Sequence, residues 1–65
     1  MLYKVGDMVK HFESKNVYGL VTKIEKTSPK TQFCTFFCFY DEQIYTISNA
    51  ALEPIKLEES DENLR

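Results

Sequence analysis

The side chains that could carry acid–base or nucleophilic chemistry are few and scattered. His11 is the single histidine of the 65-residue chain, and imidazole is the side chain that titrates near neutral pH without perturbation. It follows Lys10 and lies near Glu13, where no pattern supplies a nucleophile together with an orienting partner. The serines lie in loop-like contexts without the glycines of a nucleophile elbow: Ser14, Ser28 and Ser48. The sequence therefore predicts a surface histidine and a protein that is not an enzyme.

The two cysteines are the other candidates for chemistry. Cys34 and Cys38 lie four residues apart in what reads as one strand, so their Cα atoms should be roughly 13 Å apart at about 3.3 Å per residue. A disulfide needs Cα atoms within about 7 Å, so these two cannot pair with each other. With one histidine and this spacing, a zinc site is not expected either. We predict free thiols that act as small apolar residues, no metal and no cofactor.

Free thiols suit a reducing compartment, which points to a cytoplasmic protein. The N-terminal residues 1–4 lack the basic segment and apolar run of a secretory signal. No apolar run approaches the length of a membrane span, so no membrane association is expected.

Charge is unevenly distributed along the chain. Residues 1–40 hold six lysines against three acids, a net +3, whereas residues 41–65 hold two basic residues against seven acids, a net −5. This distribution permits weak binding to an anion or to a second copy of the chain. Neither half has the charge density of a dedicated nucleic-acid binder.

The element that organises the rest is the stretch from Phe33 to Asp41, rich in aromatic residues and therefore typical of a β-strand. Alternate side chains of a strand point to opposite faces. Here both parities are apolar, whereas a strand of a small sheet normally has one apolar and one polar face. A second apolar face must be covered, either by another molecule or by the chain's own Leu57, Leu64 or residues 1–3.

If Phe37 and Phe39 fill the interior, the other parity lies outside. The predicted interface then comprises Cys34, Phe36, Cys38 and Tyr40, together with Tyr45 from the next strand. The sequence itself leaves open which of Phe36 and Phe37 is buried.

Shorter elements are predicted on both sides of this strand. Gly6-Asp7 is a turn before a first strand over residues 8–12, and a second strand over residues 17–26 contains Gly19, which indicates a bulge or a close backbone approach. Residues 27–31 read as a hairpin loop and residues 41–43 as a tight turn. A fourth strand over residues 44–48, one 3₁₀ turn and a short edge strand containing Pro54 complete a domain over residues 1–55. Residues 56–65 read as an acidic, flexible tail.

Four short patterns carry a resemblance to a known fold. They are Gly6-Asp7-x-Val9, Gly19-x-Val21-x-x-Ile24, Phe37-x-Phe39-x-Asp41 and Leu52-x-Pro54-Ile55. Over residues 3–55 the chain resembles SH3-like small barrels of the Tudor and KOW type, and it is similar to small proteins encoded by tailed phages. The resemblance implies an all-β, five-stranded SH3-like barrel with a single 3₁₀ turn before the last strand. It also implies a phage-infected bacterial host or a virion as the setting, and it leaves the activity open because such barrels host many functions.

We therefore predict a non-enzymatic interaction module that binds other proteins and self-associates through the outer aromatic face of the central strand. The alternative is weak nucleic-acid binding with Phe36 and Tyr40 as stacking platforms. Its basic contacts would be Lys10, His11, Lys23, Lys26 and Lys30.

Overall fold

The computed structural model describes residues 1–55, and the predicted acidic tail, residues 56–65, lies outside the described residues. Five antiparallel strands form one sheet in the order β4-β3-β2-β1-β5. They are β1 (Met8–His11), β2 (Tyr18–Lys26), β3 (Gln32–Cys38), β4 (Ile44–Ser48) and β5 (Leu52–Pro54), and one 3₁₀ turn, Asn49–Ala51, lies between β4 and β5. The all-β prediction, the strand count and the 3₁₀ turn are confirmed. Within the described part of the chain, no helix has the length and apolarity that a membrane crossing requires.

The turns form where the sequence supplies residues suited to them. Gly6 has φ +100°, a conformation that glycine adopts without steric cost. In the loop between β2 and β3, the Thr27 amide donates to the Thr31 carbonyl at 3.0 Å. Glu42 has φ 61° in the turn between β3 and β4, where its amide donates to the Cys38 carbonyl at 2.9 Å. The central strand therefore ends at Cys38, and the last residues of its predicted range, 39–41, lie in the turn.

Gly19 is a point of close approach between β2 and β3. A Cβ atom at this position would lie 1.7 Å from the carbonyl oxygen of Phe37, so no larger residue fits without movement of the backbone. The bulge lies further along β2, where the register shifts between Val21 and Lys23. The sequence predicted a bulge or a close approach at Gly19, and the structure has the close approach at Gly19 and the bulge after Val21, with both Val21 and Ile24 directed toward the core.

One face of β3 forms the centre of the core. Cys34, Phe36 and Cys38 are each 0% exposed. They pack with four further buried residues, and the core cluster is completed by Tyr3, Val9, Val21 and Leu52. Of the two alternatives that the sequence left open, the structure has Phe36 in the core and Phe37 on the solvent face, so the interface predicted for a buried Phe37 is not exposed at Cys34, Phe36 and Cys38. Cys34 and Cys38 are free thiols, as their spacing predicted.

Two buried polar side chains attach the N-terminal segment to the sheet. Gln32 accepts from the Tyr3 amide and donates to the Tyr3 carbonyl at 3.3 Å. The Asn49 carboxamide accepts from the Gln32 amide at 3.1 Å and donates to the Met1 carbonyl at 2.8 Å. Tyr3 therefore packs on the inner face of the sheet while Met1 and Leu2 remain exposed, and the segment does not cover the solvent face of β3.

The two edges of the sheet are formed by β5 and β4. After β4, the Ser48 hydroxyl caps the 3₁₀ turn by accepting from the Ala50 amide at 3.2 Å. The chain then enters β5, which pairs only with β1 among the described strands, and Pro54 lies there as predicted for an edge. At the opposite edge, β4 pairs with β3 and with no other strand of residues 1–55.

Candidate functional site

The exposed face of the sheet carries a row of apolar side chains that crosses four strands. Met8 on β1 is in register with Leu20 on β2, Leu20 with Phe37 on β3, and Phe37 with Ile44 on β4. Leu20 is 37% exposed and Ile44 is 66% exposed, while Met8 and Phe37 are half-buried. Directly opposed side chains on neighbouring strands lie in contact range, so these residues form one continuous strip.

Two further aromatic rings extend the strip on one side. Phe39 is 43% exposed, and its ring meets that of Phe37 edge-on with centroids 5.8 Å apart. The Tyr18 ring meets Phe39 in the same manner at 6.2 Å, and the Phe39 amide donates to the Tyr18 carbonyl at 2.9 Å. We call this surface the outer apolar face, defined by Met8, Tyr18, Leu20, Phe37, Phe39 and Ile44.

Polar residues bound the outer apolar face on the side away from Phe39. The hydroxyls of Thr35 and Thr46 form a hydrogen bond of 2.9 Å across β3 and β4. Beyond them lies Phe33, which is 38% exposed and is in register with Glu25 and Ser48. Phe33 is thus an exposed phenylalanine on the same strand and face, but it is separated from the outer apolar face by a polar pair.

The predicted interface residues lie in three different environments. Cys34, Phe36 and Cys38 are buried in the core and are not available to a partner. Tyr45 is half-buried, and its ring stacks on Phe36 with centroids 5.9 Å apart. Tyr40 is 60% exposed in the turn after β3. The surface that the central strand offers is therefore made by Phe37 and its neighbours.

A signal in the sequence could have indicated the correct face. The buried parity of β3 contains both cysteines, and cysteine is among the residue types most often found fully buried. The exposed parity contains Thr35 between Phe33 and Phe37. Two cysteines on one parity and a threonine on the other favour Phe36 as the core residue.

The predicted basic residues do not form one cluster. Lys10 opposes Tyr18 beside the outer apolar face, and its ammonium lies 3.8 Å from the Glu53 carboxylate. Lys23 lies on the other side, beyond the bulge, in register with Thr35. Lys26 and Lys30 lie at the far end of the β2–β3 hairpin. Two of the four lysines thus flank the outer apolar face, and the other two are remote from it.

The His11 side chain contacts residues of the loop that follows β1. Its Nδ1 accepts the Glu13 amide at 3.1 Å, and its ring stacks on Phe12 with centroids 5.1 Å apart. Because Nδ1 accepts a hydrogen bond, the ring carries its proton on Nε2 in this arrangement. The geometry is that of a side chain that orders the loop after β1.

Two titratable groups, Asp41 and Tyr45, stabilise the turn after β3. The Tyr45 hydroxyl donates to the Asp41 carboxylate, which lowers the pKa of Asp41 and raises the pKa of Tyr45. The other carboxylate oxygen of Asp41 accepts the Gln43 amide at 3.1 Å. Ionised Asp41 accepts one hydrogen bond on each carboxylate oxygen, so this residue acts as a structural acceptor in the turn.

The inner face is filled by the packed side chains of the core. Burial raises the pKa of the Cys34 thiol, with a smaller contribution from Asp7, which keeps the thiol protonated at neutral pH. Over residues 1–55, no three histidine, cysteine or acidic side chains come together as a metal site would need.

Comparison with known proteins adds no relative: no protein-family model, curated protein sequence or solved structure matches this chain significantly.

Proposed function

We propose that this protein is a non-enzymatic interaction module of the SH3-like small-barrel class that self-associates through its outer apolar face. The strand order β4-β3-β2-β1-β5 and the 3₁₀ turn directly before the last strand support this fold class. Its similarity to small tailed-phage proteins, and a cytoplasmic or virion location, remain predictions from the sequence.

The observation that carries the proposal is the continuity of exposed apolar side chains across β2, β3 and β4. Leu20, Phe37 and Ile44 are directly opposed in register, and Phe39 packs against Phe37 beside them. Soluble proteins rarely leave such a contiguous patch open to water unless it binds something. A two-fold contact buries the same patch on both copies, which makes a homodimer the simplest way to cover it.

Ring geometry favours a protein contact over a deep ligand site. The Phe39 ring meets the rings of Phe37 and Tyr18 edge-on, so the three rings form one cluster on the exposed face. Aromatic anchors of this kind dominate the binding energy of protein interfaces, especially where polar groups surround them. The Thr35–Thr46 pair and the Lys10–Glu53 pair supply that polar surround on two sides.

Light scattering after size exclusion, over a wide range of concentrations, tests the proposal. We expect wild-type protein to have the mass of a dimer or larger, and Phe39→Ser to have a smaller mass than wild type at the same concentration. Phe33→Ser is the matched control, because it makes the same change at a similarly exposed phenylalanine outside the outer apolar face. Folded wild-type monomer at all concentrations, or equal dissociation of both variants, would refute the proposal.

A second candidate function rests on the two lysines beside the aromatic rings. Lys10 and Lys23 lie on opposite sides of the outer apolar face, in register with Tyr18 and Thr35. Single-stranded nucleic acids bind to surfaces that combine stacking rings with flanking positive charge. Titration with single-stranded oligonucleotides should then show binding that weakens steeply between about 50 and 200 mM salt and that is lost in Phe39→Ala. Binding that is insensitive to salt would contradict this function.

A further inference from the structure

The two edges of the sheet are protected to different degrees. β5 has three residues and contains Pro54, and its Glu53 is paired with Lys10. Short length, proline and charge are the features by which edge strands avoid pairing with another chain. β4 has five residues, Ile-Tyr-Thr-Ile-Ser, without a charge, a proline or a register shift. Among residues 1–55, β4 is therefore the edge that can accept a further strand.

The register shows which backbone groups of β4 face the open side. The Cys38 amide donates to the Gln43 carbonyl at 2.8 Å, so Cys38 and Gln43 are a hydrogen-bonded pair. Hydrogen-bonded pairs recur at every second residue of an antiparallel ladder, which makes Tyr45 and Ile47 the residues that bond to β3. The amide and carbonyl groups of the alternate residues point away from β3: Ile44, Thr46 and Ser48.

The charges at the two ends of β4 are opposite in sign. Asp41 and Glu42 occupy the turn that leads into β4. At the other end lies Lys30, whose carbonyl accepts from the Asn49 side chain at 3.3 Å, directly after the end of β4. The next charged residue on the outer face at that end is Glu25, two strands from the edge. The turn before β4 is thus acidic, β4 itself is uncharged, and the backbone of Lys30 lies next to the residue that follows β4.

We propose that β4 pairs in the antiparallel direction with β4 of a second copy, about a two-fold axis at Thr46, so that one sheet continues through both copies. Thr46 then opposes Thr46, and Ile44 opposes Ser48 of the other copy. The acidic turn of each copy meets Lys30 of the other, whereas a parallel pairing would place acid against acid and lysine against lysine. Charge complementarity therefore selects a second copy in the antiparallel direction.

This contact extends the proposed self-association to a different surface and does not depend on the outer apolar face. Thr46 and Ile44 direct their side chains to the exposed face, and their backbones form the edge. Pairing at the edge places the apolar strips of the two copies side by side and leaves them open. Loss of one contact therefore does not remove the other.

Opposite charges at position 46 test the pairing and its register together. Thr46→Lys and Thr46→Glu each place like charges against each other at the two-fold axis, and we expect the dissociation constant of the edge dimer to rise about tenfold or more. An equimolar mixture of the two variants places lysine against glutamate and should recover association in heterodimers. Thr22→Lys is the control, because Thr22 is also an exposed strand threonine and lies on β2, away from the edge.

The measurement is light scattering of each variant, alone and in the Phe39→Ser background, with circular dichroism to confirm that the strands are retained. If Thr46→Lys dissociates and Phe39→Ser does not, the edge contact holds and the outer apolar face is not the interface. If only Phe39→Ser dissociates, the edge proposal is overturned. Folded Thr46→Lys and Thr46→Glu proteins that remain apart on mixing would also overturn it.

Discussion

Single alanine substitutions at Phe36 and at Phe37 distinguish the buried face of the central strand from its exposed face by their effects on stability. Phe36 is 0% exposed and stacks on Tyr45, whereas Phe37 is half-buried at the surface. Truncation of a fully buried phenylalanine costs about 3–5 kcal/mol. A half-buried side chain contributes about half of the 1.5–3 kcal/mol of full burial, so Phe37→Ala should cost about 1 kcal/mol.

The size of the domain makes this difference decisive. Stabilities of about 0.05–0.15 kcal/mol per residue give a chain of this length about 3–10 kcal/mol in total. Phe36→Ala should therefore remove most of the free energy of unfolding, while Phe37→Ala should leave a cooperative fold. Phe36→Leu leaves a smaller cavity and provides a measurable transition if the alanine variant does not fold.

Urea unfolding followed by far-UV circular dichroism gives the free energies, and tyrosine fluorescence provides a second probe of the same transition. The unfolding transition should be measured at low protein concentration, because self-association would add to the apparent stability of wild type. A larger loss for Phe37→Ala than for Phe36→Ala would refute the assignment of the buried face.

Three further predictions concern other parts of the fold. Gly19→Ala should destabilise by about 2 kcal/mol or more, measured by urea unfolding, because its Cβ would collide with a β3 carbonyl; an unchanged midpoint would contradict the close approach. The lowered pKa of Asp41 means that the unfolded chain binds more protons than the native protein near pH 4, so stability should fall as pH drops through that range. Asp41→Asn and Tyr45→Phe should both reduce this pH dependence in urea titrations, and an undiminished dependence in both would count against the Tyr45 contact. Finally, both buried cysteine thiols should react slowly with a thiol reagent in the native protein and fast in urea; fast native labelling would mean that the core opens readily.

Local signals predicted the elements well. The fourth strand, Ile44–Ser48, has its predicted bounds, since its alternation is bordered by clear turn residues. The 3₁₀ turn follows from a serine cap before two alanines, and the edge position of β5 follows from Pro54, which cannot donate to a ladder. The left-handed turn at Gly6 is likewise determined by residue type.

The only local sign of the buried face of β3 is the placement of two cysteines on one parity and a threonine on the other. Both parities of Phe33–Tyr40 are apolar, so burial depends on which residues lie across from them on other strands. Phe36 opposes Val21 and Tyr45 of the core side, whereas Phe37 opposes Leu20 and Ile44. That pairing depends on the bulge after Val21, which no glycine or proline marks in the sequence.

Local sequence patterns also did not indicate how the N-terminal segment attaches to the sheet. Gln32 and Asn49 are polar residues that would normally be assigned to the surface, yet both are buried because they bond to the backbone of residues 1–3. These contacts span 29 and 48 positions of sequence. Only the assembled sheet brings such partners together.

The most direct test of the outer apolar face as the contact surface is a series of ¹⁵N–¹H correlation spectra recorded on dilution. The account predicts that the amide signals of Leu20, Phe37, Phe39 and Ile44 shift with concentration, while those of the core and of the Gly6 turn stay constant. Spectra that do not change with concentration, or shifts confined to residues away from the outer apolar face, would contradict it.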